Sequence, residues 1–108
     1  MNARKMINVI NGAIWHLNND GWGQFRYYNH NTNCYCLSGA IWQAGKQYGL
    51  NTTKDVLELV ASQASDLSWV SAEGRIVSWN DQEGRTKDEA IELLRSAREA
   101  LKFQQSGE

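Results

Sequence analysis

Apolar residues recur with a helical period in four segments of the chain, separated by polar and glycine-containing stretches. Over residues 3–18 they follow the spacing i, i+3, i+4, i+7, i+8 and i+11, which is typical of one buried helical face. These residues are Met6, Val9, Ile10, Ala13, Ile14 and Leu17. The same period predicts helices over about residues 34–48, from Thr52 or Thr53 to Ala64, and over about residues 87–102. The pattern therefore predicts a mainly α domain of about four helices.

Short-range signals mark the ends of these helices. The T-x-x-E spacing of Thr86 and Glu89 predicts a capping box, in which each side chain bonds to the backbone amide of the other residue. Thr32 or Asn33 is a candidate N-cap for the second helix. Residues 38–40 in that helix are small, so we expect another backbone segment to approach closely there.

Two segments do not follow the helical period. Residues 21–33 predict a polar, aromatic loop with a short extended piece at QFRYY, because its Asn and Thr residues favour turns. Residues 65–81 predict an irregular segment before the last helix, with a short strand or helical turn near Trp69 and an extended run at Ile76–Trp79. We expect one compact domain over residues 1–104 and a frayed tail at residues 105–108.

The composition favours a protein of a reducing, intracellular compartment. No apolar run approaches the ~18 residues of a membrane span. The N-terminal sequence MNARKMINVING lacks the apolar core and cleavage site of a signal peptide. Cys34 and Cys36 are separated by one residue, a spacing that would strain an internal disulfide, so we expect free thiols in a reducing compartment.

The sequence gives little support for catalysis or metal binding. Cys36 near a helix start, with His16 or His30 as its base, would resemble a Cys-dependent hydrolase. Cysteine in CLSGAI is, however, more often a small buried apolar residue. The H-x₃-C-x-C spacing of His30, Cys34 and Cys36 falls short of a four-ligand zinc site. We therefore expect no metal and no cofactor, assign no catalytic residue, and favour a non-enzymatic role.

Aromatic and basic residues are concentrated in a window without carboxylates, between Asp20 and Asp55. Nucleotide rings stack on Trp and Tyr faces, and Arg or Lys binds phosphate. The lack of nearby carboxylates lowers the repulsion of an anion. A net charge of −1 does not suit a nucleic-acid footprint, so the expected partner is a small anionic, nucleotide-like molecule.

The segment WNDQEGRT at residues 79–86 has two interpretations. Asn80 and Asp81 suit an Asx-type turn, with Asp81 paired to Arg85. Alternatively, these three residues contact the ligand, because Arg85 precedes a helix N-terminus that favours anions. Taken with the aromatic window, the predicted ligand-binding residues are Trp22, Arg26, Tyr28, Trp42, Lys46, Asn80, Asp81 and Arg85.

The patterns GW…CLSGAI and IVSWNDQEGRTKDEAIELLRSA resemble a small domain family of unknown function from actinobacteria and bacteriophages. The matching positions are Gly21, Trp22, Cys36, Leu37, Gly39, Ala40, Trp79, Asn80, Asp81, Arg85 and Thr86. The resemblance implies an N-terminal helix, a Gly-Trp loop, a Cys-Leu-x-Gly-Ala helix and a Trp-Asn-Asp…Arg-Thr turn into a closing helix. It implies a phage or bacterial origin and transfers no activity.

The leading hypothesis is a phage-type accessory protein that captures a nucleotide-like host defence signal without turning it over. One alternative is a protein-interaction module whose exposed aromatic residues bind a host partner or a second copy of the chain. Another alternative is a small hydrolase that uses Cys36.

Overall fold

The structure is a computed structural model that describes the backbone of residues 2–106 and the side chains of residues 2–103. In this part of the chain there are five helices and a two-stranded sheet. They are α1 (Ala3–Asn19), β1 (Tyr28–Asn29), β2 (Cys34–Tyr35), α2 (Leu37–Gly45), α3 (Leu50–Ala64), α4 (Ala72–Asn80) and α5 (Lys87–Ser106). The predicted mainly α, compact fold is confirmed, although the described residues contain five helices and not four. None of these helices is both long and apolar enough to span a membrane.

The core forms where α1 lies against α2, α3 and α5. The apolar stripe predicted for α1 is buried, except that Ile14 is only partly covered. α5 buries its own predicted stripe against this face, with Leu94 and Ala97 fully excluded from solvent. Gly12 lets α1 approach α2, because a Cβ at this position would lie 2.9 Å from the Cβ of Ala44. Each large apolar side chain buried here contributes about 1.5–3 kcal/mol of transfer free energy.

The extended run predicted at Ile76–Trp79 is wrong, because these residues belong to α4. The Ser71 side chain caps this helix by accepting a hydrogen bond from the Gly74 amide at 3.1 Å. Ile76 and Asn80 lie one turn apart and are both fully buried. The β-branched residues favour a strand only weakly, so the cap and the packing decide the structure. Residues 65–71, before α4, are irregular as predicted.

The second helix begins later than predicted, and its first expected residues form a strand. α2 begins at Leu37, and the Cys36 side chain is its N-cap. The two short strands pair antiparallel, with Tyr28 opposite Tyr35. The predicted caps Thr32 and Asn33 lie instead in the turn between these strands, where Asn33 has a φ of 59°. The sheet therefore lies between α1 and α2 and not before the last helix.

The close backbone approach predicted for residues 38–40 is confirmed at Gly39. A Cβ at this position would lie 2.0 Å from the carbonyl oxygen of Tyr27. The Cys36 amide donates to the same oxygen at 3.1 Å. The first turn of α2 thereby fixes the backbone at Tyr27, just before β1; we call Tyr27 and Tyr28 the tyrosine segment.

The other helix starts agree with the sequence to different extents. The capping box of α5 is confirmed, because the Glu89 amide donates to Thr86 Oγ1 at 3.2 Å and the Thr86 amide donates to Glu89 Oε1 at 3.0 Å. α3 begins at Leu50, earlier than predicted, after Gly49 with a φ of 91°. α5 continues to Ser106, and residues 107 and 108 of the predicted tail lie outside the described residues.

Candidate functional site

An aromatic pocket lies between the tyrosine segment, α2 and the start of α4. Its volume is about 380 Å³, within the range of small-molecule sites in proteins. It is lined by Tyr27, Tyr28, Tyr35, Gly39, Trp42, Gln43, Lys46 and Glu73. Four aromatic side chains, one carboxylate and one ammonium group therefore share a single concave surface, which we call the aromatic pocket.

Glu73 supplies the carboxylate of the aromatic pocket from the first turn of α4, where the helix dipole favours negative charge. Its Oε1 atom accepts a hydrogen bond from Trp42 Nε1 at 3.1 Å and another from the Tyr27 hydroxyl. The hydrogen bond to Glu73, aided by burial and by the Glu73 charge, raises the pKa of Tyr27 to about 12. The Tyr27 phenol is therefore neutral at physiological pH and holds the carboxylate in place.

The two strands bring two of the tyrosine rings of the pocket together. Tyr28 and Tyr35 are cross-strand neighbours whose ring centroids lie 4.8 Å apart at an interplanar angle of 53°. The Tyr28 hydroxyl donates to Asn33 Oδ1 at 2.8 Å. Behind them, the His16 ring lies 5.2 Å from Tyr35. Burial raises the pKa of Tyr35, and the Asp20 charge adds to this effect. These contacts fix the rings before any ligand arrives.

A smaller pocket of about 230 Å³ adjoins the first one and shares Tyr27 with it. It is lined by Phe25, Arg26, Tyr27, Cys36, Val77 and Asp81, and we call it the Phe25 pocket. Phe25 has a φ of 74°, which is rare for a bulky residue, and its amide donates to Asp81 Oδ1 at 2.8 Å. This backbone conformation leaves the Phe25 side chain 75% exposed, beside an exposed Arg26.

Asn80, the last residue of α4, is fully buried and is hydrogen-bonded to the loop that contains Trp22 and Gly23. Its Oδ1 atom accepts from Trp22 Nε1 at 2.7 Å and from the Leu37 amide at 3.0 Å. Its Nδ2 atom donates to the Gly23 carbonyl at 3.1 Å and to Asp81 Oδ1 at 3.0 Å. An amide side chain offers two donors and two acceptor lone pairs, so these bonds use all of them. Asn80 thus joins the Gly-Trp loop to α2 and α4.

Arg85 is engaged in the turn between α4 and α5. Its Nε donates to the Trp79 carbonyl at 2.8 Å, and its guanidinium carbon lies 3.8 Å from the centroid of the Trp79 ring. Its Nη1 pairs with Glu89 Oε2 at 3.1 Å, and its Nη2 donates to Gln82. These contacts agree with the structural interpretation of this turn, although Asp81 binds the Phe25 amide and not Arg85.

The predicted ligand-binding residues fall into three places. Tyr28, Trp42 and Lys46 come together in the aromatic pocket. Arg26 and Asp81 line the Phe25 pocket. The remaining three make structural contacts: Trp22 and Asn80 are hydrogen-bonded to each other, and Arg85 is bound in the turn between α4 and α5. Trp22, Arg26 and Arg85 are therefore not brought together in one pocket.

The window without carboxylates in the sequence is not free of carboxylates in the fold. Glu73 enters the aromatic pocket and Asp81 enters the Phe25 pocket, both from α4 or its C-terminal end. The sequence does not single out Glu73, because it predicts an irregular segment where the structure has α4. The signal that could have revealed it is Ser71, a good N-cap residue two positions before Glu73. Tyr27 and Tyr35 lie between Asp20 and Asp55 but are not among the predicted ligand-binding residues. The directions of their side chains depend on the pairing of the two strands, which the sequence pattern does not show.

Cys36 does not have the properties of a nucleophile. It is 4% exposed, and burial raises the pKa of its thiol. Its sulfur accepts a hydrogen bond from the Gly39 amide at 3.3 Å, as a helix cap does. Cys34 and Cys36 are both free thiols. Among residues 2–106 no group of three His, Cys, Asp or Glu side chains is arranged to hold a metal ion.

Comparison with known proteins places the chain in a family. No curated protein and no solved structure matches it. A family described as a family of unknown function (DUF6197) matches residues 1–100. This match confirms the expected relation to an uncharacterised small domain family. Because the match spans nearly the whole chain, the protein belongs to the DUF6197 family of unknown function.

Proposed function

We propose that this chain is a non-enzymatic binding protein that holds a small nucleotide-like ligand in the aromatic pocket. The observation that carries this proposal is the convergence of four aromatic rings, an oriented carboxylate and a lysine on one pocket of about 380 Å³. Pockets that combine apolar rings with a few fixed polar groups are typical of small-molecule sites.

The aromatic residues provide the binding surface for the ring of the ligand. A base stacked on a Trp or Tyr face gains about 1–3 kcal/mol. Trp42 is held by its hydrogen bond to Glu73, so little conformational entropy is lost when a ring stacks on it. Lys46 is exposed and lines the same pocket, where its ammonium group can bind a phosphate.

The Phe25 pocket extends the site, since it shares Tyr27 with the aromatic pocket. Its exposed Arg26 offers a second contact for an anionic group of the ligand. Asp81 lines the same pocket, but its Oδ1 already accepts hydrogen bonds from the Phe25 amide and from Asn80. These bonds hold the Asp81 carboxylate against the protein and leave Arg26 as the cationic side chain of this pocket.

Capture without turnover agrees with the chemistry of the two pockets. The Cys36 thiol that lines the Phe25 pocket is buried and its pKa is raised, which makes it a poor nucleophile. The sequence resemblance to bacteriophage proteins supports a setting in which the ligand is a nucleotide signal of host defence. In that setting the protein sequesters the signal in the bacterial cytoplasm.

The test is calorimetric titration of linear nucleotides, cyclic nucleotides and ADP-ribose into the wild-type chain and two variants. Trp42→Ala and Lys46→Ala should each weaken binding about 10- to 100-fold, since each 1.4 kcal/mol corresponds to tenfold. The matched control is Trp69→Ala, because Trp69 is 79% exposed in the irregular segment before α4. If nothing in the panel binds more tightly than about millimolar, or if Trp42→Ala binds as the wild type does, the proposal fails.

Phe25 supports a second candidate function, a protein-interaction module. Phe25 is 75% exposed and has a left-handed backbone conformation, and both features cost free energy in the isolated chain. Burial of this side chain against a partner would offset that cost. The partner is then a host protein or a second copy of the chain. Sedimentation of the wild type and of Phe25→Ser over a range of concentrations tests the second copy. Self-association that Phe25→Ser abolishes supports it, and a monomer at all concentrations rejects it.

A further inference from the structure

We infer that Glu73 contacts the edge of the bound ring and selects a ring that presents hydrogen-bond donors, as guanine does. The inference rests on the proposed function, because it names the class of ligand that the same aromatic pocket takes. It follows from the hydrogen bonds of the carboxylate and from the charges around it.

One oxygen of Glu73 is occupied by the protein and the other is available. Oε1 accepts from Trp42 and from Tyr27. Among the described side chains none donates to Oε2, and Glu73 lines the pocket. An ionised carboxylate can accept about four hydrogen bonds and donates none. The pocket therefore offers a fixed, negatively charged acceptor to whatever ring enters it.

This acceptor discriminates between ring edges. A ring edge that presents a lone pair, or a phosphate group, would place two acceptors or two negative charges against each other. Guanine presents two adjacent N–H donors, and both can donate to the two lone pairs of Oε2 in charge-assisted hydrogen bonds. Adenine presents a ring-nitrogen acceptor beside its amino group and can donate there only once.

Lys46 distinguishes a nucleotide from a simple cation. Aromatic rings around a carboxylate also suit a quaternary ammonium ion. Lys46 lines the same pocket as Glu73 and would repel such a cation, whereas it attracts the phosphate of a nucleotide. The two opposite charges match a ligand that has a donor-bearing ring and an anionic group.

Titration with guanosine, inosine and adenosine 5′-monophosphates measures the base preference. We expect the guanosine nucleotide to bind about 10- to 100-fold more tightly than the adenosine nucleotide, which is the usual discrimination of a pair of hydrogen bonds to a base edge. Inosine lacks the exocyclic amino group and should lie between them. Choline is the cationic competitor and should not displace the guanosine nucleotide.

Glu73→Gln is the matched variant, because glutamine keeps an acceptor for Trp42 and Tyr27 but loses the negative charge. It should remove most of the preference for guanosine and leave the unfolding midpoint close to that of the wild type. Glu83→Gln, at an exposed carboxylate in the turn after α4, is the control and should change nothing.

The inference is overturned by equal affinity for the guanosine and adenosine nucleotides, by a preference that survives Glu73→Gln, or by displacement by choline. Failure of all three nucleotides to bind would overturn it as well. The proposed function fails on other results, namely no binding by any nucleotide or ADP-ribose in the panel, or unchanged binding by Trp42→Ala. The two failures are therefore distinguishable.

Discussion

Asn80→Ala should destabilise the fold strongly, because it removes four hydrogen bonds from a fully buried side chain. A net contribution of about 1 kcal/mol for each bond gives a loss of about 4 kcal/mol. Trp22 and Gly23 are only half-buried, so water can replace part of what they lose. We therefore expect a loss of about 2–4 kcal/mol, a large part of the 5–15 kcal/mol typical of a domain.

The assay is urea unfolding followed by circular dichroism, since the free energy in water is obtained by linear extrapolation. Asn80→Asp should be about as harmful, because it keeps both acceptor bonds but places a charged oxygen opposite the Gly23 carbonyl. Asn51→Ala, on the exposed face of α3, should change the free energy by no more than about 0.5 kcal/mol. A loss of less than about 1 kcal/mol for Asn80→Ala would refute the central role assigned to this residue.

Three further changes test the local structure. Thr86→Ala should cost about 1 kcal/mol of stability in urea unfolding, because it removes the side-chain cap of α5. The backbone hydrogen bond from Thr86 lowers the pKa of Glu89, so the stability that Glu89→Ala removes at neutral pH should disappear as the pH falls through that lowered pKa. Gly39→Ala should cost about 1–3 kcal/mol in the same assay, because its Cβ collides with the Tyr27 carbonyl. Cys36 should react slowly with a thiol reagent in the native protein and quickly in urea.

Each of these predictions has its own contrary result. An unchanged urea midpoint for Thr86→Ala, or a Glu89→Ala effect that persists in acid, would contradict the capping box. Gly23→Ala is the control for Gly39, since its Cβ would make only an ordinary contact at 3.6 Å. Equal stabilities of the two alanine variants would contradict the close approach. Rapid native modification of Cys36 would restore the hydrolase hypothesis.

Periodicity predicted the long helices because each buries a continuous stripe. α1 and α5 each bury residues at helical spacing over about three turns, a pattern that a strand does not produce. α4 was missed because in its nine residues only Ile76 and Asn80 are buried. Its β-branched pair and Gly74 favour other conformations, and a single serine cap was the signal for a helix.

The site could be predicted only in part, for a related reason. Trp42, Tyr28 and Lys46 lie within one window of the sequence, so composition pointed to them. Glu73 reaches the pocket only because α4 packs across α2, a tertiary contact with no local pattern. Arg85 shows why charge and position at a helix end do not define a site, since its contacts in the fold are with Trp79 and Glu89.

The most direct test of the central claim, that the aromatic pocket is the binding site, is an NMR titration of the tryptophan indole N–H signals with the nucleotide panel. The chain has five tryptophans, whose signals are assigned by single Trp→Phe variants. The Trp42 signal should shift on titration, because its N–H donates to Glu73 in the aromatic pocket. The Trp22 signal should stay in place, because its N–H is bonded to buried Asn80. An unmoved Trp42 signal at saturating nucleotide, or a shift confined to Trp22 or Trp69, would contradict the account.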